Sequence, residues 1–197
     1  MTGLSISQRK RSTQEKGARI MRRLRPVAIC LIAVAFVTAC ATAPAPRAPL
    51  DASERWRFSF DSRQWQVGHQ HADRDQAIRE YVLSGQTVQN WSELVTSHYF
   101  ARNVAPRTIF EWFQSDISRG CPSVRISVID ESADTILFEW QHDGCRGFSA
   151  QHEIRRVSKG RTGVLALSFA EKTRQLAPDK RNTWLTIIRG ATIRPDA

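Results

Sequence analysis

The chain has 197 residues, 41% of them hydrophobic, with a formal net charge of +10. That charge is unevenly placed: residues 1–39 hold eight of the 29 basic and one of the 19 acidic side chains, leaving 21 against 18 from Cys40 onward, a net of +3. An excess that small does not suit a protein built to neutralise phosphate backbones, so no nucleic-acid partner is expected.

Residues 1–20 are hydrophilic and read as an extension ahead of a true start at Met21. Arg22, Arg23 and Arg25 then precede a run from Val27 to Ala39 that is almost uninterruptedly apolar and ends at small residues before Cys40. Thirteen residues make about 20 Å of helix, short of the roughly 30 Å of a bilayer core. The three-part pattern of 21–39 resembles the signal peptide of a bacterial lipoprotein, with Val37-Thr38-Ala39-Cys40 as its lipobox. The resemblance implies lipidation at Cys40 and attachment to a membrane through that lipid. Position 41 is Ala rather than Asp, which by resemblance to enterobacterial sorting implies the outer membrane, facing the periplasm. Residues 40–50 follow as a tether whose three prolines favour an extended chain of roughly 30 Å.

From Asp51 to Ala197 there is enough chain for one domain and too little for two. Trp56, Phe58 and Phe60 alternate as a first strand, and Gln64–Val67 suits a short second one. Residues 78–83 and 88–96 read as strands around a Ser84-Gly85-Gln86-Thr87 turn. Pro106 opens a helix with Ile109, Phe110, Phe113 and Ile117 on one face and Gly120 at its exit. Four strands are expected at 123–130, 136–142, 148–157 and 163–170, then a helix from Pro178 to about Ala191 burying Trp184, Ile187, Ile188 and Ala191. The expected fold class is α+β: one largely antiparallel sheet of six to seven strands with two helices packed on it.

Cys30 lies in the apolar run and Cys40 is the lipid site, leaving Cys121 and Cys145 to pair in an oxidising compartment. The hairpin between them supports this. Matching apolar faces sets Ile126 opposite Trp140 and Val128 opposite Phe138, and the same register sets Cys121 opposite Cys145.

Glu80-Tyr81-Val82, Gly85-Gln86 and Asn90-Trp91-Ser92-Glu93-Leu94-Val95-Thr96 resemble a motif of small exported proteobacterial proteins of uncharacterised function. Those proteins also tend to carry a later cysteine pair and a tryptophan-bearing final helix. The order of elements is loosely similar to the PsbP/Mog1-like fold, which implies a binding or assembly role. Trp91 and Glu93 are then fold determinants.

Candidate chemistry is sparse. His69-Gln70-His71-Ala72-Asp73 resembles part of the zinc site of metallo-β-lactamase-type hydrolases, with His69, His71 and Asp73 as the ligands. Arg74 stands where that family has a histidine, and the domain is too short for that fold, so a solvated loop is expected there and no metal or cofactor. There is no P-loop, no G-x-G-x-x-G and no G-x-S-x-G. Most of the six tryptophans suit a core; Trp112 lies off the apolar face of its helix and marks a possible partner surface. Cys145–Ala197 carries 11 basic and four acidic residues, either a solvated face or a docking face for anionic lipid or glycan. The expected function is a non-enzymatic binding or assembly factor of the cell envelope with a protein partner. A metal-dependent envelope hydrolase is the rival.

Overall fold

A computed structural model describes residues 54–195 apart from Arg146. The extension 1–20, the signal segment 21–39, Cys40 and the tether 40–50 lie outside the described residues.

Among the described residues there are nine strands and two helices. In chain order they are β1 (Glu54–Arg57), β2 (Trp65–Ala72), β3 (Gln76–Leu83), β4 (Glu93–Phe100), α1 (Pro106–Gly120), β5 (Arg125–Glu131), β6 (Thr135–His142), β7 (Gln151–Lys159), β8 (Val164–Glu171), α2 (Pro178–Gly190) and β9 (Thr192–Pro195). Seven strands form one sheet in the order β2-β3-β4-β8-β7-β6-β5, and every neighbouring pair is antiparallel. Two meanders, β2–β4 and β5–β8, therefore meet at the β4–β8 ladder, and α1 carries the chain from the centre to the far edge. β1 and β9 pair separately as a two-stranded ribbon. The fold is α+β, as expected from runs of consecutive strands interrupted by only two helices.

Period-2 alternation divides the sheet into two faces. Leu165, Leu167 and Phe169 of β8 face α2 and β1, packing with Trp56, Trp184, Leu185 and Ile188. Val164 and Ala166 face the other way, joining Ile109 and Phe110 of α1 with Ile136, Phe138, Trp140 and Val157. β8 sits at the centre and is buried on both faces from Val164 to Ala170, which explains a run that is apolar but for Ser168. Phe169 stacks on Trp184 at 4.1 Å between centroids. Each such fully buried ring contributes about 2–3 kcal/mol of transfer free energy.

The hairpin register holds: Ile126 faces Trp140 and Val128 faces Phe138, before a bulge shifts the ladder by one beyond Val128. Cys121 and Cys145 are joined by a disulfide with Cα atoms 5.4 Å apart.

Three local readings change. β1 ends at Arg57, so Phe58 and Phe60 are not in a strand. They form an aromatic cluster instead, with Phe60 stacked on Trp65 at 5.5 Å and edge-on to Tyr81 at 5.0 Å. β4 starts at Glu93 rather than at 88, because residues 84–92 make a closed loop. Gly85 adopts φ 82° there, and the Gln86 side chain accepts from Ser92 N (2.8 Å) while donating to Ser92 Oγ (2.8 Å). The third is the His69–Asp73 stretch. It is not a solvated loop: β2 runs through His69, Gln70 and His71 to Ala72. Its polarity is that of an exposed edge strand. A bulge at Gly68 lets it approach the meander, since a Cβ there would meet Val82 Cγ2 at 3.0 Å.

Candidate functional site

A cleft of about 410 Å³ opens between β1 and the β2–β4 meander. That volume lies within the roughly 300–1,000 Å³ range of small-molecule sites. Pairing builds its floor row by row. Gln70 of β2 stands opposite Arg79 of β3, which stands opposite Ser97 of β4. At about 4.8 Å between strands, these three polar side chains cross the floor over about 10 Å. The next row inward of the hairpin turn is Ala72, Ala77 and Tyr99, and Tyr81 lies on the other side of Arg79. Trp56 and Leu165 close the wall from β1 and β8.

The electrostatics of the cleft are one-sided. Glu54 is the sole carboxylate in its wall among the described residues, and it is already engaged. Its Oε1 accepts from Arg161 N (2.9 Å), and its Oε2 accepts from Thr162 N and Thr162 Oγ1 (2.9 Å each), with the Arg161 guanidinium at 3.5 Å. Burial acts to raise the Glu54 pKa, but these hydrogen bonds outweigh it and hold the carboxyl below its ordinary value. Tyr99 likewise donates to Thr162 Oγ1 (3.0 Å). The Arg79 side chain is half-buried and has no hydrogen bond or ion pair to any described residue. The cleft therefore presents the Arg79 guanidinium, an amide and a hydroxyl over aromatic and small apolar surface, with Arg55 of β1 as a second basic side chain in its wall.

The candidate metal ligands are not gathered into one site. His71 lines the cleft and lies 3.4 Å from Asp73 Oδ2. His69 stands opposite Glu80, on the sheet face away from Arg79. Asp73 builds the β2–β3 turn: its Oδ1 accepts from Asp75 N (2.8 Å) and Gln76 N (3.0 Å). Among the described residues, one group of three ligand-type atoms lies mutually within 4.8 Å, and it comprises Cys121, His142 and Cys145. Both thiols of that group are committed to the disulfide, and His142 Nδ1 accepts from Gly144 N (3.0 Å). While the bond stands, no thiolate is available to a metal.

Trp112 is 49% exposed, with the Arg102 guanidinium 5.9 Å from its ring centroid. Trp91 is half-buried beneath Lys172 Nζ at 4.6 Å. Glu93 is buried and anchors a network instead of facing solvent. It receives both Arg63 terminal nitrogens (2.7 and 2.6 Å) and Lys180 Nζ (2.8 Å), while Asp61 accepts from Arg63 and from Trp65 Nε1. Burial would raise the Glu93 pKa; the two cations reverse that and lower it. On the same face Arg181 grips Glu139 (2.7 and 3.0 Å), and His152 Nε2 lies 3.4 Å from the same carboxylate. The His152 contact and then Arg181 hold Glu139 down to about 2.

These pairs account for much of the basic C-terminal third. Arg161, Lys180 and Arg181 answer Glu54, Glu93 and Glu139 from earlier in the chain. Arg156 Nη1 donates to the carbonyls of Ile188, Arg189 and Ala191 at the end of α2.

Compared with protein-family models, with curated proteins and with solved structures, the chain finds no match.

Arg79, Gln70, Ser97 and the aromatic floor did not emerge from the sequence. The available signal was the alternation Ala77, Arg79, Tyr81, which puts a cation on the same strand face as an aromatic ring.

Proposed function

We propose that this chain is a non-enzymatic binding module of the bacterial cell envelope, held by a lipid on Cys40 at the outer membrane and facing the periplasm. The binding part rests on one observation, the open cleft whose polar floor side chains Gln70, Arg79 and Ser97 have no partner among the described residues. The address rests on the resemblance of residues 21–40 to a lipoprotein signal. The loose likeness to PsbP/Mog1-like domains agrees with a binding or assembly role. A protein partner docked at Trp112 belongs to the same reading, because a half-exposed indole on a helix suits an interface anchor.

Two measurements test the address together: metabolic labelling with palmitate and density separation of membranes. The native chain is expected to carry label and to sediment with the outer membrane, and Cys40→Ser to lose the label. An unlabelled native chain would overturn it.

The rival metal-dependent hydrolase would need His69, His71 and Asp73 to converge. Elemental analysis of purified protein decides it: stoichiometric zinc that disappears in His71→Ala would establish the rival.

A further inference from the structure

We infer that the cleft is a binding site for a small molecule carrying an oxyanion, a carboxylate or a phosphate, on an apolar or aromatic body. The inference rests on the binding reading above and specifies its ligand.

The charge comes first. A half-buried guanidinium normally finds a carboxylate in its own chain, and two arginines packed over this sheet face do so: Arg63, from the segment before β2, with Glu93 and Asp61, and Arg181 of α2 with Glu139. Arg156 instead caps the end of α2. Arg79 has neither kind of partner among the described residues, although it occupies the centre of the β2–β4 meander. Its fork of donors matches the two oxygens of a carboxylate or phosphate.

The neighbours have the same polarity. Gln70 on one side and Ser97 on the other can each donate, so an oxyanion on Arg79 would meet donors to both left and right. Glu54 would repel such a ligand were its charge open to the cleft. Its oxygens instead accept hydrogen bonds from residues 161 and 162 in the β7–β8 turn, with the Arg161 guanidinium beside them.

Apart from Arg55 and His71, which also line the cleft and add no acceptor carboxylate, the rest of the wall is suited to an apolar body. Tyr81, Tyr99 and Trp56 supply ring surface, and Ala72 and Ala77 leave space beside Arg79. A cationic or strongly polyhydroxylated ligand would find too few acceptors there.

The test is a titration of the full chain, purified as the cell produces it, followed by amide nitrogen–proton NMR. The probes are benzoate, phenyl phosphate, benzyl alcohol and benzylammonium. Benzoate or phenyl phosphate should saturably shift the amides of 77–81 and 97–99 and bind at least tenfold more tightly than benzyl alcohol. Whichever anion binds tighter identifies the source of the oxyanion. Arg79→Gln should lose that tenfold preference while keeping the parent melting temperature. Arg79→Lys should keep part of it, since charge survives and the fork does not. Equal binding of benzyl alcohol and the anions, or an unchanged preference in Arg79→Gln, would overturn the oxyanion inference and leave the cleft a binding site of another class. Failure of every probe to shift those amides would overturn it and would remove the observation on which the binding reading rests.

Discussion

Glu93 lies in the sequence stretch with the most recognisable pattern, and its environment gives the pattern a physical meaning. A carboxylate buried without compensation would cost several kcal/mol; here two cations surround it, and Asp61 holds one of them in place. Removing Arg63 leaves Glu93 with Lys180 alone and frees Asp61 as well. Arg63→Ala is therefore expected to lower unfolding free energy by about 2–3 kcal/mol in urea titrations. A loss below about 0.5 kcal/mol would mean that the network adds nothing. The sequence pattern drew attention to Glu93, but its partners were not legible. Arg63 lies 30 positions away and Lys180 lies 87 away, distances over which no periodicity carries information. The same holds for Arg79, whose significance comes from lacking a partner once the strands are paired.

At the scale of elements, legibility followed burial. The β5–β6 hairpin was readable because one of its faces is apolar, so a register slip would turn Ile126, Phe138 and Trp140 toward water. Both helices announced themselves through proline at the start and a recurring apolar face. β2 was cut short because an exposed edge strand has little apolar period, and its histidines suggested a loop. β9, four residues long, was missed because its pairing is with the distant β1. The disulfide belongs to this scale too. It ties the residue after α1 to the segment following β6, across a sequence separation of 24. Reduction is expected to cost about 3 kcal/mol and to lower the melting temperature by roughly 10 °C. Calorimetry with and without reductant measures this, and coincident melts would show that the hairpin is held by packing alone.

For the molecule as a whole, acid is the revealing condition. Burial, and then the nearby Arg155 charge, push His98 down to about 4, and its Nε2 lies 2.9 Å from Gln76 Oε1. The unfolded chain takes up a proton near 6.5 that folded His98 refuses until about 4. Stability therefore falls as pH drops through that window. Glu139, held near 2, and Glu93, also lowered, act in the same direction from about 4.5 downward, because the unfolded state again binds protons first. Urea midpoints at pH 7.5, 5.5, 4 and 3 should decline throughout, and His98→Gln should flatten the upper limb. A native curve already flat between 7.5 and 5 would contradict a neutral, buried His98.

The β1–β9 ribbon sets Glu54 directly opposite Pro195. Chain entering the first strand and chain leaving the last one therefore pass through the same point, and the path between them is nearly a ring. A short linker could close that ring, and new ends could be opened at the exposed turn around Gly85, leaving each ladder of the seven-stranded sheet with its present neighbours. The order in which the ribosome delivers the strands would change, whereas the contacts that stabilise them would not. Such a rearranged chain would separate what the sheet owes to its pairings from what it owes to being made from one end.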